Sequence, residues 1–168
     1  NPTWEAIMLT DLGSYYQLIN EPQRALGFFN KALETFRDMG DRGNEAEVMH
    51  NIAYVYNSLG ATQQAARQYE NALKIREKVD DDFNRARTLT SLGAVFDDLG
   101  DKEKAEDCHK QALKIFQTVK RPDYEANALN NLGRVYASLS RHQEALDYHN
   151  RALELCRAKD RSREAISL

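Results

Sequence analysis

Histidine and cysteine side chains are the groups in this chain that could ligate a transition metal or carry a thiolate. His142 and His149 lie seven residues apart, and Cys108 is adjacent to His109. The second cysteine, Cys156, is 48 residues further on, so the chain has no Cys-x-x-Cys pair and no second ligand pair at zinc-finger spacing. We therefore expect no metal site and no disulfide framework.

Two acidic clusters, Asp80–Asp82 and Asp97–Asp98, could supply carboxylates for acid–base chemistry. A catalytic carboxylate pair needs a pocket that separates the two pKa values, whereas these clusters fall in a predicted loop and at a predicted helix end. The sequence also lacks a Gly-rich phosphate loop, a His-Glu-x-x-His motif and a Gly-x-Ser-x-Gly motif. We predict no catalytic residue, no cofactor and no enzymatic activity.

The elements that carry these residues recur with a period of 40 residues. Each repeat has a small residue that follows an aliphatic residue and precedes an aromatic residue by three positions. The four copies are Leu12-Gly13 with Tyr16, Ile52-Ala53 with Tyr56, Leu92-Gly93 with Phe96, and Leu132-Gly133 with Tyr136. A fixed period of this length is typical of stacked supersecondary units.

Each unit is predicted to contain two helices. Apolar residues are spaced by three and four in the first segment, as in Met49, Ile52 and Tyr56, which places them on one helical face. Gly60 and Gly100 are expected to end two of the first helices in the left-handed conformation. The first helices are expected to start near Ala6, Ala46, Ala86 and Ala126, and the second helices at Pro22, Thr62, Lys102 and His142.

Small residues recur where the two helices of a unit should meet. Gly or Ala stands at position 13 and its equivalents, opposite Ala25, Ala65, Ala105 and Ala145. Small side chains let two antiparallel helices approach closely. The order of Leu-Gly-x-x-Tyr, then Ala, then an aromatic residue and Ala resembles the tetratricopeptide repeat, in a 40-residue variant similar to kinesin light chain and the Leu-Gly-Asn repeat proteins.

The resemblance implies an all-α fold, a right-handed α-solenoid of four helix-turn-helix units with the start of a fifth. The aromatic position of the repeat is occupied by Phe29, Tyr69, His109 and His149. Because these two histidines replace aromatic residues, we interpret them as packed rings and not as metal ligands. We place the units of this single domain (1–168) at 4–43, 44–83, 84–123 and 124–161, and the start of a fifth unit at 162–168.

The ends of the array give two further expectations. Glu164-Ala165 near the C-terminus matches Glu125-Ala126, so we expect the chain to be a fragment of a longer array. The bare last face, which includes Leu153 and Cys156, is expected to permit self-association, because a terminal repeat needs a polar outer surface to protect its core.

In the family that the chain resembles, the first helix of each unit lines a concave groove that binds extended peptides. Carried onto this sequence, that face also includes Gln17 and Thr90. The candidate peptide-binding residues are His50, Asn51, Tyr54, Asn57, Arg87, Ser91, Asn127, Asn130, Asn131 and Arg134.

Asparagine is the most informative residue type in this groove. Asn51 and Asn131 occupy the same position in two units, and an amide can both donate to and accept from one peptide unit of a ligand. Tyr54 could form an apolar platform, and Arg87 and Arg134 could bind anions. The alternative interpretation is that the amides bond a neighbouring helix or water.

Charge and hydropathy narrow the class of partner. The 168 residues carry 23 basic and 26 acidic side chains, which gives a net charge of −3, and both signs are mixed along the chain. This pattern is atypical of nucleic-acid or membrane binding, and we expect a cytoplasmic protein without a membrane span. The predicted function is a scaffold module that binds a protein or peptide partner. The alternative is a regulatory or sensor region of a multidomain bacterial signalling protein or protease.

Overall fold

The computed structural model describes the backbone of residues 1–166 and the side chains of residues 1–158, and the described backbone consists of α-helices joined by short turns. The helices are α1 (Pro2–Leu18), α2 (Pro22–Met39), α3 (Arg42–Ser58), α4 (Thr62–Arg76), α5 (Asp82–Asp98), α6 (Lys102–Thr118), α7 (Pro122–Ser138) and α8 (His142–Ile166). None of the described helices combines the length and the apolar character that a membrane span requires.

The starting points of the helices follow the 40-residue period. The second helices α2, α4, α6 and α8 start at the four predicted residues, whereas the first helices start four residues before the predicted positions. Capping explains the difference for α3 and α5: the Asp41 side chain accepts from the Asn44 N–H at 3.1 Å, and the Asp81 side chain accepts from the Asn84 N–H at 3.3 Å. At α7 a proline, Pro122, occupies the first position. Each of these first turns holds at most one large apolar residue, so hydrophobic periodicity does not reveal them.

Every turn between helices contains one residue with a positive φ, and these residues recur every 20 positions. They are Asn20, Gly40, Gly60, Asp80, Gly100, Lys120 and Ser140, with φ between 53° and 81°. At Gly60 the backbone N–H donates to the Asn57 carbonyl at 3.0 Å, and the next N–H, of Ala61, donates to the Tyr56 carbonyl at 2.9 Å. These bonds satisfy carbonyls that the helix end leaves unpaired. The chain thereby reverses within about three residues.

Replacing Lys120 by glycine is expected to stabilise the protein. Lys120 has a φ of 54°, and a side chain in the left-handed region costs about 1–2 kcal/mol, which the greater freedom of an unfolded glycine offsets in part. We expect Lys120→Gly to raise the free energy of unfolding by about 0.5 kcal/mol in urea titrations followed by circular dichroism. Gly100→Ala is the matched control and should lower it. A destabilised Lys120→Gly variant would contradict the assignment of strain to this turn.

The helices stack into a single layered array. The two helices of each unit pack against each other, and each second helix also packs on the first helix of the next unit. First helices of adjacent units contact one another, whereas no second helix contacts another second helix in the described part of the chain. The first helices therefore line the inner side of the curve. The predicted all-α solenoid is confirmed.

A ring on the second helix of the unit lies directly against each glycine at the small position. The close approach of the two helices therefore depends on these rings as well as on the alanines that the sequence indicated. A Cβ atom added to Gly93 would lie 2.6 Å from Cε1 of His109, and one added to Gly13 would lie 2.6 Å from the ring of Phe29. His109 is buried, so its interpretation as a packed ring is confirmed. His149 covers Gly133 in the same way but is exposed, because α8 ends the described array.

The C-terminal region continues the last helix. Residues 162–166, where a fifth unit was expected to start, extend α8 without a break. The side chains of 159–168 and the backbone of 167–168 lie outside the described residues. The fifth unit therefore stays a prediction.

Candidate functional site

The concave face holds a cavity of about 380 Å³ that is open to solvent. All four first helices contribute to it, and α6 supplies one further residue. The lining residues are Gln17, His50, Asn51, Tyr54, Arg87, Thr90, Ser91, Phe116, Tyr124 and Asn127. The cavity is thus built by stacking of the units, since no single unit contains it.

The cavity brings together six of the ten candidate residues. The six are His50, Asn51, Tyr54, Arg87, Ser91 and Asn127, and the four that do not line it are Asn57, Asn130, Asn131 and Arg134. Oδ1 of Asn130 lies 3.1 Å from Nδ1 of His149, so this amide contacts a neighbouring helix. An Arg134 Nη2 atom lies 3.9 Å from the Asp97 carboxylate. These two contacts fit the alternative interpretation, in which groove side chains serve the protein itself.

His50 is buried at the side of the cavity, and its protonation can be derived from its neighbours. The Thr88 hydroxyl donates to the Asn84 carbonyl at 3.0 Å, so its oxygen accepts from Nδ1 of His50 at 3.1 Å. The proton of the neutral ring is therefore on Nδ1. Burial lowers the pKa of His50 to about 4; Glu47 opposes this shift, and Arg76 and Arg87 add to it. His50 is thus an uncharged wall residue at neutral pH.

A cluster of charges fixes Arg87 beside His50. Arg87 donates to the Asn84 side chain at 2.7 Å and lies 3.8 Å from a Glu47 carboxylate oxygen. The other Glu47 oxygen accepts from Arg76 at 2.6 Å. Arg76 is buried at the position held by Phe36 in the first unit. Arg76 also lies 3.6 Å from the Asp81 carboxylate, and the Arg87–Glu47 contact is long, so the Arg87 guanidinium can still donate to a ligand in the cavity.

Two aromatic residues of the cavity wall, Phe116 and Tyr124, were not predicted from the sequence. Their ring centroids are 5.2 Å apart, and Phe83 lies 5.0 Å from Tyr124 in an edge-to-face arrangement. The guanidinium of Arg121 stacks on Tyr124 at 4.6 Å. Tyr124 lies in the first turn of α7, ahead of the predicted helix start. An aromatic residue two positions before Ala126 was the one signal available.

Two amides in the cavity are not used by the protein. The side chains of Asn51 and Asn127 make no hydrogen bond to other described residues. Ser91, between them on α5, interacts with the hydroxyl of Tyr69, whose pKa burial raises to about 12. The cavity therefore offers paired donors and acceptors next to aromatic walls and one cation. This combination suits a polar, extended ligand.

Metal-ligating and nucleophilic groups do not converge in the described part of the chain. No group of three or more His, Cys, Asp or Glu residues there could hold a metal ion. Cys108 is buried, and burial raises the pKa of its thiol to about 12, so it is a thiol at neutral pH. The second thiol, of Cys156, is exposed on α8.

Comparison with solved structures supports the solenoid architecture. The chain resembles BtubC (BKLC) from P. vanneervenii with a TM-score of 0.88 and 23% identity, covering 95% of this chain and 66% of that one. RapI in its apo form gives 0.86 and 19%, with 92% and 43% covered. Aspartyl phosphate phosphatase F from Bacillus subtilis gives 0.90 and 14%, with 95% and 42% covered. The chain thus spans less than two thirds of the length of each.

Sequence comparison identifies the family. A search of curated proteins gives no significant match. A family model described as "Tetratricopeptide repeat" matches residues 44–118 and 108–158, which together cover more than half of the chain. The matched residues contain every cavity-lining residue except Gln17. The chain therefore belongs to the tetratricopeptide repeat family, as its sequence pattern predicted.

Proposed function

We propose that the concave cavity binds an extended segment of a partner protein. Proteins of this repeat family typically act as non-enzymatic interaction modules. The observation that carries the proposal is the pair of unused amides, Asn51 and Asn127, which line one cavity from two different units. A ligand that contacts both must cross the first helices, as an extended chain does.

The chemistry of the cavity matches a peptide backbone with a mixed set of side chains. Each amide can donate to a peptide carbonyl and accept from a peptide N–H. Tyr54 is half exposed on one side, and Tyr124 lies in the opposite wall, so both can pack on apolar parts of the ligand. Arg87 can pair with a carboxylate of the ligand. The cavity volume of about 380 Å³ lies within the usual range for ligand sites.

Hydrogen bonds to the backbone cannot supply the affinity alone. Two bidentate amides give about 2–6 kcal/mol at 0.5–1.5 kcal/mol for each bond, whereas a micromolar complex needs about 8 kcal/mol. The remainder must come from the aromatic walls and Arg87. We therefore expect binding to depend on ligand side chains as well as on an extended backbone.

A displayed library of random 12-residue peptides tests the proposal directly. We expect selection on the immobilised chain to yield peptides whose binding can be measured by fluorescence anisotropy. Asn51→Ala/Asn127→Ala should weaken the best peptide by about tenfold or more, because each amide loses two hydrogen bonds. Helicity and melting temperature should stay nearly unchanged, since neither side chain bonds the protein.

The matched control is Asn57→Ala/Asn130→Ala, which removes two amides of the same helices that lie outside the cavity. This variant should bind with nearly unchanged affinity. A selection without any binder would overturn the proposed function. Equal losses in both double variants would place the ligand elsewhere on the concave face.

A regulatory or sensor region is the second candidate function. It is favoured by the similarity to RapI and to the phosphatase, where the matched array makes up less than half of the chain. A sensor must change curvature when its ligand binds, whereas a scaffold keeps it. Small-angle scattering of the chain with and without a selected peptide distinguishes the two, because only a sensor would change its radius of gyration.

A further inference from the structure

The His50 ring is held in one orientation at the wall of the concave cavity. Its Nδ1 atom lies 3.1 Å from the Thr88 hydroxyl oxygen, and its edge-to-face contact with Tyr69 has a centroid distance of 5.1 Å. Only 7% of the residue is exposed, so its neighbours hold the ring in place. A polar group fixed in this way can bind a ligand without the cost of ordering its side chain.

The second nitrogen of this ring, Nε2, is a hydrogen-bond acceptor that the protein does not use. Because Nδ1 carries the proton of the neutral ring, Nε2 retains its lone pair. It makes no hydrogen bond to the described residues, and it is not among their buried unpaired atoms, which belong to Arg76 and His109. Nε2 of His50 therefore reaches solvent, and the open space that this residue borders is the cavity.

Arg87 stands beside this acceptor as a hydrogen-bond donor. It directly precedes Thr88, the residue that holds the His50 ring, and its charge is close enough to lower the pKa of His50. Among the described residues, Arg87 is the only charged one in the cavity lining, since its partner Glu47 is not part of that lining. The wall thus presents an acceptor and a cationic donor side by side.

This pair discriminates between the functional groups that a ligand could offer. A primary amide can direct an N–H at Nε2 and its carbonyl at Arg87, because one amide hydrogen and the oxygen lie on the same edge of the group. A trans peptide unit points its N–H and carbonyl in opposite directions, so one unit cannot engage both. A carboxylate would satisfy Arg87 but would place a negative oxygen against the Nε2 lone pair. An ammonium group could donate to Nε2 but would meet the guanidinium.

We propose that His50 and Arg87 form a subsite for the side-chain amide of an asparagine or glutamine in the bound segment. This assignment rests on the proposed function, since it names a residue type in the peptide that the cavity binds. Asn51 and Asn127 contact the backbone of that peptide, and the subsite recognises one of its side chains. His50 is thereby a specificity-determining residue, which selects the amide against the corresponding acid.

Parallel peptide selections on the unmodified chain and on His50→Leu provide the first test. We expect the peptides from the unmodified chain to share an asparagine or glutamine at one position, and those from His50→Leu to lack it. Fluorescence anisotropy then compares the best peptide with two analogues, in which that residue is replaced by its acid or by alanine. On the unmodified chain each analogue should bind about tenfold more weakly or worse, because two hydrogen bonds are lost.

The histidine variants show whether Nε2 is the acceptor. His50→Leu should weaken the amide peptide by about threefold to tenfold, the effect of one hydrogen bond, but should leave the alanine analogue nearly unaffected. His50→Asn should restore most of the affinity, because its amide oxygen is an acceptor and Asn130 occupies the equivalent position of the fourth unit. Circular dichroism checks that every variant is folded.

Thr90→Val is the matched control for these variants. Thr90 lines the cavity at the position of the third unit that is equivalent to His50, and its hydroxyl donates to the Ala86 carbonyl at 2.9 Å. The preference for the amide peptide over its alanine analogue should therefore be the same in Thr90→Val as in the unmodified chain.

Nitrogen NMR of the isotope-labelled chain measures the state of the ring without any substitution. In the free chain, Nε2 of His50 should resonate as an unprotonated, pyridine-type nitrogen, and its signal should move when the amide peptide binds. A protonated Nε2 in the free chain would overturn the assignment. Selected peptides with no common amide would do the same, as would an equal loss for both peptides in His50→Leu. These outcomes leave the proposed function standing, whereas a selection without any binder overturns both.

Discussion

Gly93→Leu is expected to lower the free energy of unfolding by about 3 kcal/mol, the upper end of the usual effect of overpacking. Even a Cβ atom at this position would lie 2.6 Å from Cε1 of His109. The imidazole is buried at the junction of α5 and α6 and cannot move into solvent. The two helices must therefore separate, which exposes the core around Leu92 and Ala105. Urea unfolding followed by circular dichroism measures the loss.

The chain itself supplies two controls for this prediction. A Cβ atom at Gly133 would be equally close to His149, but that ring is exposed and can rotate away, so Gly133→Leu should be distinctly milder. Gly27 has nothing within 4 Å, so Gly27→Ala should be neutral or stabilising by up to about 1 kcal/mol. An unchanged free energy of unfolding in Gly93→Leu would contradict the close packing of α5 and α6 at this point.

The helix pairs could be predicted because their information is local and repeated. The period of 40 residues and the apolar spacing in each segment place the second helices at Pro22, Thr62, Lys102 and His142, where the structure has them. The first turns of the other helices were missed because each holds at most one large apolar residue, such as Phe83 or Tyr124, which is too few to show a helical period. Their signal was the capping residues Asp41 and Asp81.

The turns show a limit of residue-type rules. Gly60 and Gly100 could be predicted to adopt positive φ, since glycine has no side-chain penalty there. Asp80, Lys120 and Ser140 adopt the same conformation although their residue types do not require it. The stacking of the units imposes the conformation, because consecutive helices must reverse direction within two to five residues. Tertiary packing thus overrides a preference of about 1 kcal/mol.

The candidate site could be predicted in part because helical register is local and curvature is not. Asn51, Tyr54 and Arg87 lie on the inner face of their helices, and this follows from the 3.6-residue period. Whether residues of different units line one cavity depends on how the units stack. Asn127 therefore enters the cavity, while Asn131, one turn further along α7, does not.

The contribution of Phe116 to the cavity wall could be recognised only from the tertiary structure. It belongs to a second helix, and such helices lie on the outer side of the array, so no rule about first helices could include it. Its ring reaches the cavity because it packs against Tyr124 at the start of the next unit. A residue near the end of one unit and a residue near the start of the next therefore form one wall. This arrangement makes the junction between units part of the proposed peptide-binding surface.

Lowering the pH from 7.5 to 5.0 is expected to destabilise the fold by about 4 kcal/mol through two histidines. Burial lowers the pKa of His50 and of His109 to about 4; for His109, Arg134 adds to the shift and Asp97 opposes it. The unfolded imidazole has a pKa of about 6.5, so between these values the unfolded chain binds protons that the folded chain excludes. Stability is therefore full above about pH 6.5 and falls as the pH is lowered toward 4.

The size of the effect follows from the part of this range that is measured. Between pH 6.5 and 5.0, each buried histidine lowers the free energy of unfolding by about 1.4 kcal/mol for each pH unit. Over about 1.5 pH units this amounts to about 2 kcal/mol for each histidine. The carboxylates of Glu45 and Glu106 also have lowered pKa values. Their contribution to the free energy of unfolding is lost only when the pH falls below the ordinary value of about 4.5. Urea titrations at pH 7.5 and 5.0 thus isolate the histidines.

His109→Phe provides the decisive variant for the pH prediction. Phenylalanine occupies the equivalent position in the first unit, where Phe29 is buried against Gly13, so the ring contact is retained without a titrating group. The loss of stability between pH 7.5 and 5.0 should fall to about half, because only His50 then contributes. An undiminished loss in His109→Phe would show that acid destabilisation of this array arises elsewhere than in its buried rings.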